Sequence, residues 1–332
     1  MPTDLPAFVA AANAPLTDPD KNRQVGTGDP RFEIYHFALS LCSQKVRYCL
    51  AETEATYLAH DLNLNMPLLG NYDPGYVRLR LLAGPGQGFA TGYTGRSSVA
   101  TEGFDPAVVP TLVDHHAGKV VADSAVICRH IDAVTGGHLI PRDLAADILT
   151  EIAAVDATPH VAILYGGHPQ HDFRPERLKK NMPGVHDRKI AKIKTARNAS
   201  SDDPTLVAAY DAKIAKELSG RDFVTTPAKM EAAVAEMLAI VAALDTRLDD
   251  DRPFTCGDSF TMADVVWAVS LFRMKWIGMA FAWNGDHPLN DRARPNVAAY
   301  TNRAFQRPAF KDAVIHWPGV PRTEFVAEHY TD

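Results

Sequence analysis

Ser40, Leu41, Cys42 and Ser43 follow one another where a β-rich run gives way to a helical one. Backbone N–H groups at a helix start are unpaired and carry the positive end of the helix dipole. A thiolate, or a bound anionic sulfur, is stabilised there, and cysteine pKa values in such positions fall to roughly 3.5–7.5. Lys45 and Arg47 add positive potential. A plainer account fits the same residues: Cys42 as a small buried hydrophobe and Ser40 as a helix cap. A second stretch is Val109-Pro110-Thr111. A proline that opens a strand is tolerated at an edge and is sometimes cis. It leaves the Val109 N–H and C=O free to pair with an extended peptide, although strand initiation alone would also explain it. In a third stretch, Asp123-Ser124 either caps a short helix or turns its N–H groups towards a carboxylate.

Other motifs read as structural. Thr261 and Asp264 have capping-box spacing, and Phe260 and Val265 that of a hydrophobic staple, so this stretch is a folding device. His168 and His171 stand three apart without a surrounding ligand set, which argues against a metal site. Residues 174–197 hold nine basic and two acidic side chains and read as a solvated, partly helical face that could also hold an anionic ligand. Trp267, Trp276 and Trp283 fall on apolar helical sequence and suit a core. Phe37, Tyr165 and Trp276 are the aromatic candidates for a substrate pocket.

The elements that must position these residues follow from periodicity. Residues 31–37 and 57–64 read as strands and residues 43–54 as the helix between them, a β-α-β start with a right-handed crossover. Residues 65–106 form an unusually long connection, rich in Gly, Ser, Thr and aromatics, of the kind that is more often functional than idle. Residues 108–114 and 119–122 make a hairpin, and residues 124–134 a short helix ended by Gly136-Gly137. Beyond Pro141 the strand signals stop. Helical periods dominate from residue 145, with Thr226-Pro227, Arg294-Pro295 and Arg307-Pro308 as helix starts. The expected architecture is a proline-rich arm over residues 1–30, a small α/β domain over 31–141 and an all-α domain over 145–332.

Composition narrows the function classes. The 332 residues are 46% hydrophobic and 22% charged, an ordinary globular profile with enough apolar material for a core. The net charge of −6 argues against nucleic-acid or anionic-membrane binding. Four cysteines without a C-x-x-C pair exclude a disulfide scaffold and a zinc ribbon. No signal peptide is read at the N-terminus, and charges interrupt the apolar window over residues 262–283, so the expectation is a cytoplasmic protein that does not span a membrane.

Taken in order, SLCS after the first strand, VVPTLV, ADSAVI, and a helical half with GDSFTMADV and RPAFKDA resemble the glutathione transferase superfamily over residues 31–315. FALSLCSQKVRYCL, DPGYVRLRL and YTGRSSVATEGFDPAVVPTLVD look most like the bacterial chlorohydroquinone reductive dehalogenases. GKVVADSAVICRHID is also similar to the glutathione-dependent β-aryl etherases. The arm and the 65–106 connection exceed the common pattern. The resemblance implies a thioredoxin-like N-terminal domain (βαβ-ββα, mixed sheet), an all-helical C-terminal domain, a dimer, and glutathione as cofactor with a small aromatic substrate. It further implies that Ser40 hydrogen-bonds the glutathione sulfur. Val109, ahead of a cis Pro110, would pair with the cysteinyl backbone, and Asp123 and Ser124 would hold the γ-glutamyl end. Cys42 becomes a second thiol beside the first. Reductive dehalogenation uses both sulfurs, through a thioether and a Cys42 mixed disulfide, whereas β-ether cleavage needs only the first displacement, for which Ser40 suffices. A non-catalytic binding protein of the same fold is the third reading.

Overall fold

The computed structural model describes residues 4–84 and 88–321; the remaining positions of the expected arm (1–3), connection (85–87) and helical half (322–332) lie outside them. The arm is where structure and expectation differ most. Residues 5–13 form α1 (Leu5–Asn13), capped by Asp4, and residues 22–25 form an edge strand, β1 (Asn22–Val25). The sheet continues with β2 (Phe32–His36), β3 (Tyr57–Asp61), β4 (Thr111–Asp114) and β5 (Lys119–Ala122), in the order β1-β3-β2-β4-β5. β2 and β3 are parallel, joined through α2 (Leu41–Glu52), and every other neighbouring pair is antiparallel. A parallel pair needs a long crossover, which α2 supplies. This is a thioredoxin-like mixed sheet.

Within the 65–106 connection lie a helix, α3 (Pro74–Leu81), and a single turn, α4 (Val99–Glu102). Asp73 caps α3, accepting from Gly75 N at 2.8 Å. α1 packs on α3 so closely that a Cβ on Gly75 would lie 2.4 Å from the Ala11 carbonyl oxygen. α5 (Ser124–Val134) closes the first half.

Strand alternation sorts β2 between two cores. Phe32 and Ile34 face Val46, Leu50 and Ile127 of the crossover side, while Tyr35 faces Ala12, Tyr76 and Leu79 under α1 and α3. Glu33 shares that second face and is buried. It accepts from Asn13 (2.8 Å), Tyr35 (2.9 Å) and His115 (2.9 Å) and pairs with His60 (2.7 Å). Burial alone would raise its pKa, but the hydrogen bonds from His60 and Asn13 bring it down to about 2.

The second half is helical: α6 (Ala145–Asp156), α7 (His160–Tyr165), α8 (Glu176–Asn181), α9 (Val185–Ala199), α10 (Pro204–Val224), α11 (Pro227–Arg247), α12 (Met262–Trp276), α13 (Phe281–Asn284), α14 (Pro295–Phe305) and α15 (Pro308–Phe310). Residues 145–165 are long and apolar enough to cross a membrane by composition. They form two helices parted at Pro159, and Ile148, Ile152 and Val155 are buried in the core. α12 is largely apolar and runs through the centre, buried on every side from Met262 to Met274, with Asp264, Ser270 and Arg273 as its buried polar residues. The capping box at its start forms: Asp264 accepts from the Thr261 N–H (2.8 Å) and hydroxyl (2.9 Å). α12 packs against α2 and α6, so the two halves share one hydrophobic core.

Candidate active site

A cavity of about 720 Å³ opens along the junction of the halves. Its walls include every sequence-selected candidate: Phe37, Ser40, Cys42, Val109, Pro110, Asp123, Ser124, Tyr165 and Trp276.

Ser40 is the N-cap of α2, its hydroxyl accepting from Ser43 N at 3.3 Å. Cys42 lies in the first turn, half-buried, and its thiol donates to the Ser97 hydroxyl at 3.3 Å. Ser97 belongs to the long connection, so that segment reaches the sulfur. The other cysteines are buried. Burial pushes the Cys49 and Cys256 thiols up, away from ionisation.

The Val109–Pro110 peptide is cis. The strand expected from residue 108 begins only at Thr111. Among the described residues, neither the Val109 N–H nor its carbonyl has a protein hydrogen-bond partner, which leaves both for an extended peptide. α3 fixes this segment. The Tyr76 hydroxyl donates to Val108 O (2.6 Å), and Arg80 donates to Asp105 O (2.8 Å), Pro110 O (2.6 Å) and the Thr111 hydroxyl (3.0 Å).

Asp123 has a positive φ of 76°, a conformation that aspartate tolerates better than most residues. Its carboxylate caps α5, accepting from Ala125 N (2.9 Å) and Val126 N (3.2 Å), and also accepts from Val99 N at 2.6 Å. Both of its oxygens thus already serve the backbone. Ser124, beside it, faces the same cavity.

The helical half contributes a more charged wall than the sequence suggested. Lys189 donates to the Tyr165 hydroxyl at 2.9 Å and lies 3.5 Å from Glu217. Lys213 joins Asp105 (2.8 Å) and Glu217 (3.0 Å), and Lys216 joins Glu102 (2.6 Å). Burial would raise the Glu217 carboxyl, but the Lys189 and Lys213 charges hold it well below the usual range. The basic run at 174–197 is therefore not simply a solvated face: Arg174 is buried against Asp172 (2.7 Å), and Lys189 lines the cavity. Trp276 has two guanidiniums near its ring, Arg177 at 3.8 Å and Arg273 at 4.8 Å from its centre. Periodicity alone did not bring out Lys189, Ser97 or Arg273. The available signal was a charge, Arg273, in the second half of a largely apolar helix. Among the described residues no group of three His, Cys, Asp or Glu could hold a metal ion.

A thioredoxin-like sheet whose sulfur-bearing turn faces a helical half is the architecture of a thiol-handling transferase. The chain belongs to the glutathione S-transferase family: its N-terminal domain matches residues 39–134 and its C-terminal domain residues 227–303. It is 43% identical over 321 residues to the 2,5-dichlorohydroquinone reductive dechlorinase of Sphingobium indicum, covering 94% of this chain and 91% of that one. It is 24% identical to the tetrachloro-p-hydroquinone reductive dehalogenase of Sphingobium chlorophenolicum, covering 87% and 99%. Among solved structures, the beta-etherase LigF of a Sphingobium species has the same fold, with a TM-score of 0.52, 17% identity and coverage of 85% and 98%.

Proposed function

We propose that this enzyme removes halide reductively from a chlorinated hydroquinone at the expense of two glutathiones. The observation that carries the reading is that Ser40 and Cys42, in one helix-opening turn, line the same cavity as Val109, whose backbone groups have no partner among the described residues. The tripeptide pairs with Val109, its γ-glutamyl end lies at Ser124 and the start of α5, and the Ser40 hydroxyl donates to its sulfur, favouring the thiolate. Phe37, Tyr165 and Trp276 flank the ring of the aromatic substrate.

The chemistry balances in three steps. Glutathione thiolate displaces chloride from the keto tautomer of the ring: a C–S bond forms, C–Cl breaks, and proton loss restores the aromatic thioether. Cys42 thiolate then attacks the thioether sulfur. An S–S bond forms, C–S breaks, and the electron pair left on the ring carbon takes a proton, releasing the reduced hydroquinone. A second glutathione thiolate attacks the mixed disulfide, giving glutathione disulfide and free Cys42. The need for reduced thiol assigns the enzyme to the cytoplasm, and the family resemblance supports a dimer, for which sedimentation is the test.

The deciding experiment supplies glutathione and 2,5-dichlorohydroquinone and follows the products by mass spectrometry. Two glutathiones consumed per reduced product, with one disulfide formed, is the expected balance. Cys42→Ser is expected to accumulate the thioether. An undiminished yield of reduced product from that variant overturns the role of Cys42. One glutathione consumed per turnover with a stable thioether points instead to simple displacement of the β-etherase kind, and absence of thiol binding at millimolar glutathione to a binding protein.

A further inference from the structure

We propose that Arg273, reaching out of α12 into the SLC turn, is the counter-charge that stabilises the Cys42 sulfur as a thiolate. The inference rests on the reading of Cys42 as the second sulfur nucleophile. Arg273 is 5% exposed, on a buried helix whose other buried polar residues, Asp264 and Ser270, are hydrogen-bonded. It donates through Nη2 to the Leu39 carbonyl and lies 3.5 Å from Gln44 Oε1, residues that flank Cys42 on either side in the chain. Among the described residues its Nε has no hydrogen-bond partner. Burying a guanidinium is costly, and among the described residues its neighbours, the Leu39 carbonyl, Gln44 Oε1 and the Trp276 ring, carry no opposite charge. The cost is understandable if the anion is one that forms during the reaction, in the cavity that Arg273 and Cys42 both line.

The surrounding charges agree in sign. Burial draws Arg273 down to about 10, with Cys42 among the groups raising it again, so it stays protonated at neutral pH. Arg177 of α8, 3.8 Å from the Trp276 ring centre, adds positive charge. Lys45 of α2 also senses Cys42, but its charge is matched by Asp156 of α6 at 3.1 Å. His160 of α7 is held well below its ordinary value by burial and by Lys45 and Arg273, so it is neutral and bonds Ser270 at 2.7 Å. Tyr165 of α7 is a further neighbour of Arg273, and Ser97 offers Cys42 only a hydroxyl. Arg273 is thus a positioning residue that joins the helical half to the sulfur chemistry of the sheet half.

The test is substrate-free alkylation of the full-length protein by iodoacetamide from pH 6 to 10, with modification of Cys42 read by peptide mass spectrometry. Arg273→Gln is expected to slow Cys42 alkylation at pH 7 by about tenfold, the effect of removing one nearby opposite charge. The slowing should vanish at pH 10, and Arg273→Lys should recover most of the neutral-pH rate. Arg273→Met, an apolar side chain of similar length that suits a buried site, serves as the second neutral variant and should match Arg273→Gln. A folded neutral variant that reacts at the wild-type rate at pH 7, or one slowed by the same factor at every pH, overturns the proposal. A wild-type protein with the expected profile but no reduced product would sink the dehalogenation reading alone.

Discussion

In the proposed mechanism, a hydroxyl and a thiol two residues apart do different work because the helix start treats them differently. Ser40 stands outside the first turn with its oxygen directed at the α2 N-terminus, whereas Cys42 projects from that turn towards Ser97. Ser40→Ala is expected to lower kcat/KM for the first, thioether-forming step by roughly 10- to 150-fold, the value of a charge-assisted hydrogen bond of about 1.5–3 kcal/mol. It should leave the reaction of Cys42 with preformed thioether much less affected, which single-turnover kinetics on each step would separate. Both residues were legible in the sequence because a helix start is a local signal. Lys189 and Arg273 were not. Each meets the cavity through a fold that joins distant segments, and a basic residue in a helix carries no mark of which way its charge is turned.

At the scale of elements, the chain's extra segments act on the site indirectly. α1 packs on α3, and α3 holds the carbonyls on either side of Val109 through Tyr76 and Arg80. Gly75→Ala would drive a methyl group into the Ala11 backbone and is expected to cost about 1–3 kcal/mol. Chemical denaturation would measure that loss, and calorimetry should show weakened glutathione binding as the Val109 segment shifts. The Glu33 cluster gives these elements a pH dependence. Its folded pKa of about 2 lies below the ordinary glutamate value, so its stabilisation is present in full above roughly pH 5 and is lost as pH falls towards 2. Glu33→Gln should remove on the order of 3 kcal/mol at pH 7 and flatten the acid limb of a melting-temperature series over that window. The β-α-β start, the hairpin and the Pro227 helix were readable because each repeats a short period. α1 and β1 were hidden by prolines and by the mostly polar face of a four-residue edge strand.

At the scale of the whole molecule, the halves are tied by charge as well as by α12. Buried Lys45 of the sheet half meets Asp156 of the helical half. Asp156→Ala would leave that ammonium unpaired and is expected to cost on the order of 3 kcal/mol in urea unfolding. Because the carboxylate raises the Lys45 pKa against the effect of burial, the pair's contribution holds through neutral pH. It fades only as pH rises beyond the ordinary lysine value near 10.4. The burial of three cysteines beside one half-buried cysteine at the seam has a practical consequence. A thiol-directed dye added to the untouched protein should settle on a single atom, giving a built-in reporter of how the halves move. Peroxide should strike at that same atom before any other sulfur, so activity lost in thiol-free storage ought to return when reductant is restored.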